Sequence, residues 1–226
     1  MAGVTDWATI SSMATAGGTL VLAIATFSSV RSSTRAARIA EAALLIGVRP
    51  VLFPSRPNDI PQQLMWGDRH WAELGGGQAV MEVADGAVYL ALSLRNVGSG
   101  IAVLRGWRVE RAEDFVSPTG AVDERRAGLT RPDVEEFRAQ GRDLYVPAGD
   151  MSFWQAAIRD SNDPSWADTV RAIENGERTL IDLLYGDHEG GQRTISRFTV
   201  VPSTEEESSW RWSVVRHWNL DRQDPR

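Results

Sequence analysis

The chain has 226 residues, a formal net charge of −6, nine tryptophans and no cysteine. Without cysteine there is no disulfide, no thiolate nucleophile and no cysteine-ligated metal, and that composition suits a cytoplasmic domain. All 24 basic residues are arginine, which removes the lysine of a P-loop, a Schiff-base enzyme or a kinase; no basic stripe interleaved with aromatics points to nucleic acid.

Residues 7–30 carry no charged side chain; Asp6 precedes them and Arg31, Arg35 and Arg38 follow. A bilayer core about 30 Å thick takes roughly 20 helical residues, so this stretch predicts one transmembrane helix. The arginine bias predicts the N-terminus outside and the C-terminal domain in the cytoplasm, with Trp7 at the outer interface of the cell membrane. A cleaved signal peptide fits poorly, because no positive n-region precedes the apolar run and the arginines come after it. Arg31, Arg35 and Arg38 are spaced i, i+4, i+7 and share one helix face, which can lie against anionic headgroups or act simply as a topology signal. Ala14 and Gly18 form a small-xxx-small pair that lets a second helix approach. Membrane lipid and a protein partner or second copy of the helix are therefore the expected neighbours. Residues 36–46 are rich in alanine and leucine and continue the helix, and Gly47 and Pro50 end it. One helix is expected over residues 5–46, with domains at 1–48 and 49–226.

Residues 49–226 are enough for one domain with its own core. Val88, Leu90, Leu92 and Leu94 alternate with Tyr89, Ala91, Ser93 and Arg95, the pattern of a half-buried strand. The turn Asn96-Val97-Gly98-Ser99-Gly100 and a return strand over 101–110 complete a predicted hairpin, the glycines supplying positive φ. A second hairpin is expected from strands 179–185 and 193–201 around the turn 186–191. Shorter strands are expected at 51–53, 79–83, 151–158 and 210–218, the last with Trp210, Trp212, Val214 and Trp218 on one face. Pro132 to Gln140 and Pro164 to Asn175 predict two inserted helices, opened by capping residues and stopped by Gly141 and Gly176. Residues 54–78 and 203–209 read as loops. The fold class is mainly β with an N-terminal transmembrane α-helix: an immunoglobulin-like antiparallel β-sandwich with two short inserted helices.

Asp187, His188 and Glu189 are the densest candidate for a metal or for acid–base chemistry, but a polar hairpin tip explains them as well. Asp182, alternating with Ile181 and Leu183, is expected in solvent. Serines are plentiful but no Gly-x-Ser-x-Gly elbow accompanies them. Gly75-Gly76-Gly77 reads as a flexible linker, since no strand–loop–helix context surrounds it. The tryptophans are expected mainly in the core. No catalytic, cofactor or metal residue is assigned, and no cofactor is expected.

The stretch Leu90-Ala-Leu-Ser-Leu-Arg-Asn-Val-Gly-Ser-Gly-Ile-Ala-Val-Leu104 resembles the hairpin of bacterial immunoglobulin-like adhesion-type modules. Tyr185-Gly-Asp-His-Glu-Gly-Gly191 and Arg216-His-Trp-Asn-Leu220 resemble uncharacterised single-pass membrane proteins of actinobacteria. That resemblance implies a location and a fold and transfers no catalytic residue. The expected function is a membrane-anchored interaction or accessory-subunit protein with a cytoplasmic β-sandwich. An extracellular ligand- or cell-wall-binding module and a carboxylate-dependent hydrolase are the alternatives.

Overall fold

The computed structural model describes residues 6–112, 130–204 and 209–222. It divides into two units, Met1–Gly47 and Val48–Arg226. The first is one helix, α1 (Asp6–Gly47). Its segment Ile10–Glu41 is long and apolar enough to cross a membrane, with a mean hydropathy of 1.6. The hydroxyls in its polar stretches fold back on the helix: Thr15 Oγ1 donates to Ser11 O at 2.8 Å, Thr19 Oγ1 to Thr15 O at 2.9 Å and Thr34 Oγ1 to Val30 O at 2.9 Å. Such back-bonding satisfies a hydroxyl without water, as an apolar surrounding requires.

The second unit holds β1 (Leu52–Pro54), β2 (Gln62–Met65), β3 (Trp71–Leu74), β4 (Gln78–Ala84), β5 (Ala87–Asn96), β6 (Ala102–Arg111), β7 (Arg138–Val146), β8 (Met151–Ile158), α2 (Trp166–Glu174), β9 (Thr179–Gly186), β10 (Arg193–Pro202) and β11 (Trp210–Asn219). Every strand pair is antiparallel. Nine strands form one curled sheet in the order β1-β5-β4-β11-β10-β9-β6-β7, with β8 also on β5; β2 and β3 form a separate ribbon. The narrow joint is β4 against β11, where only Ala79 and Gln78 pair, with Trp210 and Arg211. The sheet therefore folds into two halves around a shared core. Leu90, Leu92 and Trp154 come from one half, Leu104, Ile181, Phe198 and Trp212 from the other.

Helix α2 seals this core with Trp166, Val170 and Ile173, spaced i, i+4, i+7. It ends as Gly176 takes φ 63° and Glu177 N donates to Ala172 O at 2.7 Å, a glycine stop of the expected kind. The other predicted helix, over 132–140, does not form. Asp133 caps only a 3₁₀ turn (Val134–Glu136), and Arg138 then starts β7. Pairing of Ala139 and Arg138 with Gly106 and Trp107, and the Arg138 guanidinium 4.8 Å over the Trp107 ring, override the local helix signal.

The predicted hairpin across 88–110 is not one either. β5 pairs with β1, β4 and β8, and β6 pairs with β7 and β9, so residues 97–101 cross between the halves. Gly98 and Gly100 are required for space, not for positive φ. A Cβ at Gly98 would lie 2.2 Å from Arg49 O, and one at Gly100 1.7 Å from Val48 O. Asn96 organises this crossing. Its Oδ1 accepts from Val51 N (3.1 Å) and Gly98 N (3.0 Å), and its Nδ2 donates to Gly100 O (2.6 Å) and Val146 O (3.0 Å).

The segment expected as a loop over 54–78 contains the β2–β3 ribbon. Leu64 and Leu74, with Trp66, cover Tyr89 and Ala91, so β5 is buried on both faces rather than one. Gly76 is packed against the Arg56 carbonyl, where a Cβ would come within 2.1 Å. In β11, Val215 is an extra residue between the pairs Arg197↔Arg216 and Phe198↔Val214. This bulge reverses the alternation, so Trp210, Trp212 and Val214 face the main core while Trp218 turns to the other side with Leu184 and Ile195. Six of the tryptophans, Trp66, Trp107, Trp154, Trp210, Trp212 and Trp218, are buried.

Candidate functional site

The residues singled out on α1 lie on an uncovered surface. Trp7 is 80% exposed, and Arg31, Arg35, Arg38, Ala14 and Gly18 are exposed. Nothing lies within 4 Å of where a Gly18 Cβ would stand. Between Ala14 and Arg31, Leu20, Val21, Leu22, Ile24 and Phe27 are 61–70% exposed.

In the β domain a cavity of about 860 Å³ lies where the two ends of the sheet meet. Its walls are residues 139–142 of β7 and Gln155, Ala156, Ala157 and Arg159 of β8 and its end, and Trp66 and Trp107 contribute between them. β7 and β8 are consecutive, yet no ladder joins them among the described residues. Gln140 bridges the gap instead: its Oε1 accepts from Trp154 Nε1 at 3.1 Å and its Nε2 donates to Gln155 O at 3.3 Å. Opposite β6, four residues of β7 (140–143) face Arg105 alone, which bows β7 away. Gln155 Oε1, on the β8 wall, is buried without a hydrogen-bond partner.

Asp68 and Arg159 form the wall between this cleft and a smaller cavity of about 420 Å³. Two hairpin tips build the smaller one. Arg69 (φ 68°) turns β2 into β3, and Asp85-Gly86 (φ 50° and 72°) turns β4 into β5 in the geometry that favours Asp-Gly. Asp68 Oδ2 accepts from Tyr89 Oη at 2.8 Å and from Arg159 Nε and Nη2 at 3.0 and 2.8 Å. Desolvation works against the Asp68 charge, but these bonds and one from the His70 amide outweigh it and hold its pKa at about 2. Burial first, then the Asp68 carboxylate, pushes the Tyr89 phenol up, so it stays a donor. The His70 ring stacks on Tyr89 at 3.9 Å, with its Nε2 bonded to Glu82 Oε1. Asp68, His70, Tyr89 and Arg159 each have a fixed partner, and the set pins the ribbon tip to β5 and the end of β8.

The sequence-level candidates for chemistry are structural. Asp187 is buried, and its carboxylate accepts from Gly191 N (2.8 Å) and Gln192 N (3.1 Å), which braces the turn. His188 and Glu189 have side chains 58% and 78% exposed. Among the described residues no three His, Asp or Glu side chains converge as metal ligands. Asp182 is not in solvent: at 1% exposure it takes a bidentate pair from Arg197 at 2.8 Å and a third bond from Arg108 at 3.1 Å. Burial lowers the pKa of Arg197, and the Asp182 carboxylate reverses that to a net rise. Ser196 bonds His217 Nδ1 and, at 2.8 Å, Tyr185 Oη, which accepts from Leu52 N at 3.2 Å. Ser196 is fully buried, so this chain of bonds locks the core rather than presenting a nucleophile.

Sequence reasoning missed the β7–β8 cleft and the ribbon beside it. Asp85-Gly86 was a readable signal, but it marks only the tight β4–β5 hairpin beside the ribbon tip.

No protein-family model matches the chain, and no curated protein matches it. Among solved structures, a crystal structure of a protein from Archaeoglobus fulgidus is similar over 63% of this chain and 93% of that one. The identity is 15% and the TM-score 0.23, a likeness that carries no argument about fold or function.

Proposed function

We propose that this is a membrane-anchored interaction protein, an accessory subunit or scaffold whose β domain works on the cytoplasmic face. The observation that carries the reading is the uncovered apolar surface of α1 from Leu20 to Phe27, followed at once by Arg31, Arg35 and Arg38. A bilayer supplies cover for such side chains, favouring insertion by about 0.3–0.6 kcal/mol for each central one. In this arrangement Trp7 sits at the outer interface, the three arginines face anionic headgroups on the inner side, and Ala14 and Gly18 offer the close approach for a partner helix or a second copy. For the domain, the immunoglobulin-like assignment is likewise our proposal, supported by two sheet halves packed on one core. An interaction role is favoured over hydrolysis at Asp187, because that carboxylate is committed to two backbone amides.

The test combines location with association. Membranes are washed with alkaline carbonate, a reporter is fused at Arg226, and in-cell crosslinking precedes extraction in mild detergent. Retention, an internal reporter and a stoichiometric partner are expected. An external reporter transfers the reading to an extracellular binding module, and a lone monomer after crosslinking overturns the scaffold.

A further inference from the structure

We propose that the β7–β8 cleft receives an extended acidic segment of a partner protein, added as a strand along the free edge of β8. This rests on the interaction reading above and names the surface and the chemistry of the partner.

All eight residues of β8 pair with β5 on one side. On the other side no strand pairs with it among the described residues. Gln155 O accepts from Gln140, a β7 side chain, so that carbonyl faces the cleft. Strand backbones alternate with period two, so the Phe153 and Ala157 carbonyls also point away from β5, and Ala157 lines the cleft. Gln140 thus supplies one side-chain donor where a neighbouring strand would supply a row. Its own register on β7 cannot close the gap, because residues 140–143 bow out opposite Arg105. The unmet acceptor Gln155 Oε1 lies in the same cleft. An incoming strand donates to this row of β8 carbonyls, which is the logic of strand addition at an exposed edge.

Charge selects the segment. Arg142 on the β7 wall is exposed and has no ion pair among the described residues. Arg159 on the opposite wall has a side chain 50% exposed and pairs with Asp68, which Tyr89 also bonds. The cleft therefore presents net positive charge in a domain of an acidic chain, and carboxylates on alternate residues of the added strand complement it.

The test titrates the full chain in detergent with a fluorescent peptide of about eight alternating Glu and Val residues, the length of β8. Binding is read by anisotropy. Saturable binding is expected, with the Lys–Val counterpart weaker by roughly tenfold. N-methylation of alternate amides leaves the side chains intact but removes the backbone donors, and is expected to weaken binding roughly tenfold or more. Gln140→Ala vacates the edge and should tighten binding, whereas Arg142→Glu should weaken it. Equal binding of the N-methylated peptide, or indifference to both substitutions, overturns the proposal. Photocrosslinkers in cells separate the two readings. A stoichiometric partner captured from position 215 but never from position 157 removes the cleft assignment and leaves the anchored scaffold standing. A chain washed free of membranes removes the anchor while peptide binding by the purified protein is judged on its own.

Discussion

At the scale of single residues, the domain spends its buried charges in pairs. Asp182 and Arg197 have side chains 1% and 4% exposed, so neither sees enough water to stand alone. Removing one partner of a buried pair typically costs about 3–5 kcal/mol, since the other charge stays desolvated. Asp182→Ala is therefore expected to destabilise the protein by about that much. Glu136→Ala touches the same cluster at a side chain 52% exposed and should cost about 1 kcal/mol or less. Thermal and denaturant unfolding of the detergent-solubilised chain measure both. His217 behaves differently. Burial lowers its pKa below the usual 6.5, and its Nε2 has no partner. The unfolded chain therefore takes up a proton before the folded one does, and stability falls as pH drops from 6.5 toward the lowered folded value. His217→Gln should flatten the pH dependence of Tm in that window. The carboxylates Asp68, Asp163 and Asp221, whose pKa values are lowered, act only below their usual 3.8, so their losses fall in a separate, more acidic range. A Tm profile between pH 5 and 7 that is the same in both proteins would dismiss the assignment.

At the scale of elements, what could be read from the sequence was what is local. The long helix, the β9–β10 hairpin and α2 with its Gly176 stop each carry their signal within a few residues. Pairing is not local. The 88–110 segment looks like a hairpin because two apolar strands flank a glycine-rich turn, yet Asn96 bonds Val51 and Val146, and those contacts send β6 to the other half. The β2–β3 ribbon was invisible because four-residue strands offer little period, and its cover over Tyr89 and Ala91 exists only once β5 is in place. The Val215 bulge likewise displaced Trp218 from the face that strict alternation assigned. Of the candidate residues, those on α1 were named from composition and spacing along one helix, while the cleft depends on two strands failing to pair. Gly100 tests this picture of the crossing. Gly100→Ala puts a Cβ into the Val48 carbonyl, and the surrounding backbone must move at a cost of about 1–3 kcal/mol. Gly141→Ala, where nothing lies within 4 Å, is the neutral control. Equal Tm values for the two variants would mean that residues 48–51 do not pack on the crossing as described.

At the scale of the whole molecule, the anchored reading depends on α1 lying in lipid, and that dependence has a magnitude. On insertion scales each central Leu, Ile, Phe or Val favours the bilayer by about 0.3–0.6 kcal/mol, whereas a central Arg opposes it by about 2.5–3.5 kcal/mol. One arginine thus offsets roughly six apolar residues, and the hydroxyl-rich first half of α1 leaves little in reserve. Leu22→Arg combined with Ile24→Arg opposes insertion by about 5–7 kcal/mol, and Arg31, Arg35 and Arg38 stay in place. The variant is expected to leave carbonate-washed membranes, while Leu22→Ile remains. The β domain does not include these positions, so its near-ultraviolet signature should be unchanged in the released variant. Full retention of the double-arginine variant would mean that α1 is held by protein contacts instead of lipid, and the cytoplasmic orientation drawn from its arginines would lose its basis.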